Sequence, residues 1–271
     1  MPGEDGPGTS PRPGVGRRKV NPSLDKGVFL LSIDTELAWG GVHDGSFRRR
    51  THLYRLTREA IARLLALQER YQIRATWAVV GHLFLERCRP VDGVKHPEVV
   101  RPTYAWFSGD WFQYDPCTGL EADPFWYGPD IVEAVLRCRT PQEVGSHGFS
   151  HTIAGDPGCS REAFQSELRA CQEAARPWGI QLRSFVFPRN SIGHLDVLWA
   201  SGYSAFRGLA RPWHRRLPVL GEKALRGLQA LSPLAPVTSA PRVVDGLVDL
   251  PGTCFYLHRE GWARRVPIGA R

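Results

Sequence analysis

Two histidines in the segment "SHGFSH" have the type and spacing needed to bind one metal ion. His147 and His151 lie four residues apart with Gly148 between them, and a tight turn would direct both rings at a single ion. Neutral imidazole is a common ligand of zinc and related divalent metals. The same spacing also fits two hydrogen-bonded loop histidines, so this motif alone leaves both interpretations open.

The segment "LLSIDTELAWG", residues 30–40, adds two carboxylates. Its apolar run predicts a buried strand that ends on Asp34 and Glu36, and side chains two residues apart share one side of an extended chain. One carboxylate could complete a set of two histidines and one carboxylate around a metal, and the other could act as a base. Alternatively, one of them caps the following segment or pairs with an arginine, because an acidic group that ends an apolar strand is costly without a partner.

Polar residues also follow two later apolar runs. Arg189 and Asn190 come directly after "FVFP", and Asp249 lies near the last clear run. In parallel α/β folds the functional groups collect at the carboxyl ends of the strands. We therefore expect these side chains to converge with the histidines and the acidic pair. Arg189 also fits an ordinary surface arginine after a strand.

The elements that must position these residues alternate along the chain. Strands are predicted at 28–33, 73–80, 144–147, 185–188, 203–206 and 247–250, and helices at 56–71, 130–138, 160–178 and 195–201. Pro129 and Ser160 are well placed at helix starts. The β-α alternation predicts an α/β fold of parallel strands with helical crossovers. We expect one domain over residues 28–271, preceded by a disordered tail, residues 1–27, that is rich in Pro, Gly and charge.

The segment from about 88 to 128 interrupts this alternation. It is too long for an ordinary connection, and long irregular insertions are usually functional loops or lids. Its aromatic residues include Trp106, Trp111, Trp126 and Tyr127. Flat rings stack on the apolar faces of sugars, so the segment fits a sugar-facing wall and, equally well, ordinary packing of a loop on the domain.

Composition narrows the class of protein. The net charge of +8 is spread over small basic groups, which favours solvated surface over a nucleic-acid-binding stripe. The six cysteines form no CxxC pair, which argues against a zinc ribbon or a disulfide framework. No run reaches transmembrane length, and residues 1–27 lack the apolar stretch of a signal peptide. These observations predict a soluble, cytoplasmic protein without nucleic-acid binding or membrane insertion.

The segments "LLSIDTE", "SHGFSH" and "RSFVFPRN", in this order, resemble the three leading motifs of the polysaccharide deacetylase family, which are metal-dependent carbohydrate esterases. The resemblance spans about residues 28–208. The first motif departs from the commonest form, in which two aspartates are adjacent, because Thr35 separates Asp34 from a glutamate. The resemblance implies a distorted (β/α) barrel with about seven parallel strands.

Carried over residue by residue, the resemblance implies a catalytic site. Asp34 would be the general base, held in place and ionised by Arg189. One divalent ion, zinc first with cobalt, nickel or manganese as alternatives, would be bound by Glu36, His147 and His151, with the choice of acidic ligand the least secure part. The residues expected to contact a carbohydrate substrate are Trp39, Trp106, Trp111, Pro188 and Asn190.

The general acid is the weak point of this assignment. The family uses a histidine on a late strand, and His258 in "CFYLHRE" has part of that pattern. Few residues follow it, which raises the expectation that a C-terminal helix and strand are absent and that activity is weakened. His82 and His194 lie near strand ends without a partnering motif, and we interpret them as structural.

The sequence thus predicts a metal-dependent hydrolase that removes N-acetyl or O-acetyl groups from a carbohydrate. Two alternatives stay open at this point. One is a catalytically silent, carbohydrate-binding member of the family. The other is an amidase of related fold that acts on a non-sugar C–N bond, against which the intact histidine pair argues.

Overall fold

A seven-stranded, mostly parallel sheet forms the centre of the protein. The computed structural model describes residues 26–209 and 238–253. The strands are β1 (Ser32–Thr35), β2 (Thr76–Val79), β3 (Glu143–Ser146), β4 (Ser184–Val186), β5 (Ala205–Leu209), β6 (Arg242–Val244) and β7 (Leu247–Gly252). Their order in the sheet is β1-β2-β3-β4-β5-β7-β6, and every neighbouring pair is parallel except β6 with β7.

Four helices make the crossovers between the first five strands. They are α1 (Thr51–Tyr71), α2 (Pro129–Arg137), α3 (Arg161–Ala175) and α4 (Leu195–Ala200). The predicted α/β class and β-α alternation are confirmed. Both predicted helix starts are confirmed as well, since Pro129 opens α2 and the Ser160 side chain caps α3 by accepting a hydrogen bond from the Ala163 N–H at 3.1 Å.

The sheet is curled into a half-barrel. Arg207 on β5 contacts the Asp34 carboxylate and the Ser32 hydroxyl on β1, although three strands lie between β5 and β1 in the sheet. This contact requires the two strands to face each other across the concave side. The predicted barrel-like architecture is confirmed in this form.

The antiparallel strand β6 is the departure from an all-parallel sheet. Asp245 and Gly246 separate β6 from β7, and both have positive φ, 50° and 87°. Two such residues form the tight hairpin turn that Asp-Gly favours. The dipeptide "DG" therefore reverses the chain and adds an edge strand that the strand predictions did not contain.

The first strand begins later than predicted. The prediction was 28–33, whereas pairing with β2 starts at Ser32 opposite Thr76. Val28, Phe29 and Leu30 are all more than half exposed. Asp34 therefore lies inside the paired strand rather than after it.

The segment 85–128 packs as an irregular layer against the core. In the part of the chain that the structure describes, its only strand pairings are the isolated bridges Arg87–Gly119 and Val91–Val94. Most of its aromatic side chains nevertheless enter the main hydrophobic cluster, with Trp106 as an exposed exception. Every helix among the described residues is too short or too polar to cross a membrane.

Candidate metal-binding and catalytic site

Three of the predicted metal ligands meet at one point. Glu36 follows β1, while His147 and His151 follow β3, and one ligand atom from each lies within 4.8 Å of the others. The Glu36 Oε1 atom is 3.1 Å from His147 Nε2 and 3.4 Å from His151 Nε2. Both imidazoles are buried, whereas Glu36 is partly exposed. The adjacent, parallel strands β1, β2 and β3 deliver these side chains to the same edge, as the strand-end argument predicts.

The hydrogen bonds of His147 make this arrangement suitable for a cation. Its Nδ1 atom lies 2.6 Å from the Val186 carbonyl oxygen, which can only accept, so the ring proton sits on Nδ1. The Nε2 atom then presents a lone pair to the Glu36 carboxylate, which is also an acceptor. Two acceptors at 3.1 Å need a proton or a metal ion between them, and imidazoles fixed through their second nitrogen by a carbonyl are typical metal ligands. The residues fit a divalent metal ion.

The electrostatics of the three groups are mutually dependent. Burial works to raise the pKa of the Glu36 carboxyl, but the hydrogen bonds to His147 and His151 outweigh burial and hold this pKa well below its usual range. Burial works to lower the pKa of His147, but the Glu36 carboxylate raises it above the ordinary value. The site thus combines an ionised Glu36 carboxylate with a His147 ring whose positively charged form that carboxylate stabilises.

A buried glutamate shapes the "SHGFSH" turn. Glu167 on α3 accepts hydrogen bonds from the Phe149 and Ser150 N–H groups at 2.8 and 2.9 Å. Gly148 has a φ of +75°, a conformation that favours glycine, and His151 has a φ of 64°. Burial raises the pKa of Glu167 although these hydrogen bonds oppose it. The turn is therefore fastened to α3, which fixes where the two histidines point.

A glycine makes room for the Glu36 carboxylate. After β1 the extended conformation ends at Glu36, and the chain enters a 3-10 helix, Leu37–Gly41. A Cβ atom built on Gly40 would lie 1.7 Å from Glu36 Oε2. The carboxylate therefore rests directly against the backbone of the turn that follows it.

Arg207, and not Arg189, holds Asp34. The two outer nitrogens of Arg207 donate to the two oxygens of Asp34 at 2.6 and 2.8 Å, a bidentate ion pair. The prediction that Arg189 fills this role is wrong. Arg189 lies in the turn Pro188–Asn190 with a φ of 53°, and its charge instead acts on His43, whose pKa it helps to lower.

The turn after β4 still contributes to this end of the site. Asn190 Oδ1 accepts a hydrogen bond of 3.4 Å from Arg207, so the predicted substrate contact Asn190 lies beside the arginine that holds Asp34. Pro188 is buried at the start of the same turn. Their contact with substrate stays a prediction.

Two of the predicted sugar-contacting tryptophans belong to the core. Trp39 is 0% exposed and donates from Nε1 to the Trp126 carbonyl oxygen. Trp111 is 1% exposed and donates to the Ser150 hydroxyl oxygen at 2.9 Å. Both indole N–H groups are satisfied by the protein, so the assignment of these residues to a sugar-facing surface is wrong. Trp106 is 45% exposed and stacks on Tyr104 with ring centroids 4.8 Å apart, so it remains available to a ligand.

Two residues near the site were missed in the sequence. Arg207 follows the predicted strand 203–206 directly, so the rule that polar groups at strand ends are functional pointed to it. His43 follows Glu36 by seven residues, and its ring lies parallel to that of His151 with centroids 6.0 Å apart. Burial lowers the pKa of His43, which makes the ring neutral near pH 7. His258, the predicted general acid, lies outside the described residues.

Among known proteins, similarity to this chain was found in solved structures alone. No family model matches the sequence, and no curated protein matches it. A candidate polysaccharide deacetylase from Mycobacterium smegmatis matches with 14% identity and a TM-score of 0.44, over 66% of this chain and 50% of that chain. A CE4 family pseudoenzyme from Bacillus anthracis matches with 14% identity and a TM-score of 0.34, over 65% of this chain and 41% of that one. The chain spans half or less of the length of these proteins, and the similarity is one of fold.

Proposed function

We propose that this protein is a metal-dependent hydrolase that removes an acetyl group from a carbohydrate, with an N-acetylated sugar as the first choice and an O-acetylated one as the second. One observation carries the proposal. Glu36, His147 and His151 present their donor atoms to a common point, and the same strand that delivers Glu36 also delivers Asp34, fixed by Arg207. A metal set beside a second carboxylate that is not a ligand is what amide or ester hydrolysis near neutral pH requires.

The ligand set indicates the kind of metal. Two imidazole nitrogens and one carboxylate suit zinc and its first-row neighbours cobalt, nickel and manganese. A bound ion of this kind supplies Lewis-acid polarisation of the acetyl carbonyl and lowers the pKa of coordinated water. Three protein ligands leave a coordination position open to substrate, as in catalytic zinc sites.

The chain's own residues then divide the remaining work. Asp34 accepts the proton of the attacking water at a carboxylate oxygen. Arg207 positions that carboxylate through both of its outer nitrogens and does not itself contact the reacting atoms. Protonation of the leaving amine requires a general acid, and His43 is a poor one at neutral pH because its pKa is lowered. His258 remains the prediction for this role.

Substrate binding is proposed for the exposed part of the aromatic segment. Trp106 presents a ring face outside the core, and its Nε1 donates to Asp156 Oδ2 at 2.8 Å, which fixes the orientation of the indole. A ring held in this way can stack on a pyranoside without loss of side-chain entropy on binding. Pro188 and Asn190 would contact the substrate from the turn that follows β4.

The test combines metal analysis of the full chain with acetate release from N-acetylated and O-acetylated sugars. We expect His147→Ala to lose one metal ion per chain together with activity. Asp34→Asn should lose activity and keep that ion, because Asp34 is the base and not a ligand. Matched controls are His52→Ala and Asp92→Asn, since both residues are exposed.

Each result discriminates between the alternatives. Acetate release that is equal in the wild type, His147→Ala and Asp34→Asn would overturn the proposed site. A wild type that binds the metal but releases no acetate from any of the sugars would exclude the esterase activity and favour a silent, carbohydrate-binding role.

A further inference from the structure

Four metal-binding side chains meet a second time, inside the protein and away from the site above. His82 follows β2, whereas Cys88, His96 and Asp115 lie on the irregular segment 85–128, and their ligand atoms all lie within 4.8 Å of one another. His82 and Asp115 are 0% exposed, His96 is 5% exposed, and Cys88 is partly buried. We call these four residues the buried tetrad.

The contacts within the buried tetrad centre on one carboxylate oxygen. Asp115 Oδ2 lies 2.8 Å from His96 Nε2 and 3.3 Å from His82 Nε2. Cys88 Sγ lies 3.6 Å from the same oxygen and 3.5 Å from His82 Nε2. Two nitrogens, one sulfur and one oxygen therefore surround a common volume.

The outer nitrogens of both histidines are held by acceptors. His82 Nδ1 lies 3.1 Å from the Trp126 carbonyl oxygen, and His96 Nδ1 lies 3.1 Å from Glu98 Oε1. Each Nδ1 must therefore carry a proton, and each neutral ring then turns the lone pair of Nε2 toward Asp115. Metal-bound histidines have this arrangement, with the second nitrogen donating to a carbonyl or a carboxylate.

Without a cation the hydrogen bonds of the buried tetrad do not balance. His82 Nε2 can accept from the Cys88 thiol at 3.5 Å, but His96 Nε2, 2.8 Å from the Asp115 oxygen, would need a proton as well, which places an imidazolium ion in a dry interior. His96 is 5% exposed and Asp115 is 0% exposed, so that charge would be cut off from water, which is costly. A divalent ion would face one carboxylate and one thiolate, and the charges of these three groups would sum to zero.

The remaining contacts leave the Cys88 sulfur available to a metal ion. Tyr127 accepts a hydrogen bond from the Thr118 N–H at 2.8 Å, so its own hydroxyl proton is free to donate to Cys88 Sγ at 3.2 Å. Asp115 Oδ1 accepts from the Cys117 N–H at 2.9 Å, whereas Oδ2, which also lies 3.4 Å from Cys117 Sγ, faces the centre of the tetrad. Metal binding would displace the Cys88 thiol proton to solvent, because the thiolate is the ligand form.

We propose that His82, Cys88, His96 and Asp115 bind a structural divalent metal ion, with zinc as the best match. Four protein ligands of nitrogen, sulfur and oxygen type fill a tetrahedral zinc shell and leave no position for substrate, in contrast to the three-ligand site. Zinc accepts this mixed donor set, whereas magnesium and calcium prefer oxygen ligands.

The position of this ion explains how an irregular segment keeps its shape. The ligands tie the beginning, the middle and the end of residues 82–115 to one point, and this described stretch has no α-helix or β-strand after the short 3-10 helix Gly81–Phe84. The tetrad also lies behind the "SHGFSH" turn, since the His82 N–H donates to the Phe149 carbonyl oxygen at 2.9 Å. The metal would act as a crosslink that supports both the segment and the turn.

Cobalt substitution of the full-length protein tests the proposal without any variant. A thiolate bound to Co²⁺ gives a sulfur-to-metal charge-transfer band in the near ultraviolet, and the site of Glu36, His147 and His151 contains no sulfur. We expect the wild type to bind two metal ions per chain and to show this band when loaded with Co²⁺. His147→Ala should bind one ion and keep the band.

Substitutions then assign the sulfur. Cys88→Ser should remove the band and one metal ion, whereas Cys138→Ser, which changes a buried cysteine outside the tetrad, should keep both. A folded wild type that binds a single ion, removed by His147→Ala, and shows no band would overturn the proposal. A band that survives in Cys88→Ser and disappears in Cys117→Ser would overturn the assignment of Cys88. A Cys88–Cys117 disulfide in the purified protein would also contradict the site.

Discussion

Asp34 pairs with one of two arginines that occupy similar positions in the sequence. Arg189 and Arg207 each follow an apolar strand, and the motif resemblance favoured Arg189. Only Arg207 reaches Asp34, because the curl of the sheet brings β5 opposite β1. Which of two strand-end arginines faces a given carboxylate depends on this curvature, and periodicity in the sequence does not encode it.

We expect Arg207→Gln to lower kcat for acetate release by about 10²-fold, because a well-positioned base contributes roughly 10²–10⁴-fold to such reactions. The metal content should change little, since Arg207 binds Asp34, which is not a proposed ligand. KM should change less than kcat, because Arg207 joins the proposed substrate contact Asn190 through a long hydrogen bond of 3.4 Å. Arg207→Lys should recover part of kcat as a single hydrogen-bond donor. Kinetics and metal analysis of these variants, with Arg189→Gln in parallel, make the comparison. A larger loss in Arg189→Gln than in Arg207→Gln would contradict the assignment.

Gly40 offers a second test at the level of one side chain. We expect Gly40→Ala to weaken metal binding at the site of Glu36, because the new Cβ would occupy the place of the carboxylate, 1.7 Å from its oxygen. The melting temperature should change little, since a flexible carboxylate can move away. Titration with metal and thermal unfolding measure the two effects. Gly27→Ala, where a Cβ meets nothing within 4 Å, is the control, and equal metal affinity in all three proteins would contradict the expectation.

At the scale of elements, the features that depend on residues close together in the chain were predicted correctly from the sequence. The Ser160 cap, Pro129 at the start of α2 and the β-α alternation depend on neighbours in the chain, and the structure confirms them. For the aromatic segment, residues 85–128, the burial of individual side chains could not be predicted in the same way. Its tryptophans serve both as core and as surface, and only long-range packing decides that Trp111 and Trp126 are buried while Trp106 is exposed.

The coupling of α3 to the histidine turn predicts a pH dependence of stability. Burial raises the pKa of Glu167 above its unfolded value near 4.5, so the folded state binds the proton more tightly. The contribution of Glu167 to stability is therefore largest at low pH and falls as the pH rises through the folded-state pKa. We expect the melting temperature of the wild type minus that of Glu167→Gln to decrease as the pH is raised above about 4.5. Thermal unfolding across this range measures the difference.

A difference that stays constant or increases with pH would show that Glu167 is ionised throughout. Glutamine is the appropriate substitution because its carbonyl oxygen can accept the Phe149 and Ser150 hydrogen bonds. The variant therefore keeps the turn in place while it removes the titration. Glu121→Gln is the control, since Glu121 is exposed.

At the scale of the whole molecule, the two clusters of metal-binding side chains are brought together in different ways. The strand-end rule found Glu36, His147 and His151 because parallel strands bring their carboxyl ends together. The buried tetrad was not predicted from the sequence. His82 was interpreted as structural, and the cysteines show no CxxC pair. Its four donors are spread over 34 residues of mostly irregular chain, and their meeting depends on how that segment folds back on itself.

This difference predicts how each metal affects global stability. An ion that crosslinks the segment 85–128 stabilises the folded state by about 2.7 kcal/mol when its free concentration is 100 times its dissociation constant. For a chain of this size we expect a chelator to lower the melting temperature of the wild type by roughly 5–10 °C. His147→Ala should keep the part of the decrease that comes from the ion at its intact buried tetrad. Asp115→Asn should melt lower at the outset and respond weakly to the chelator. A chelator effect that is lost in His147→Ala and kept in Asp115→Asn would place the stabilising ion at the catalytic site instead.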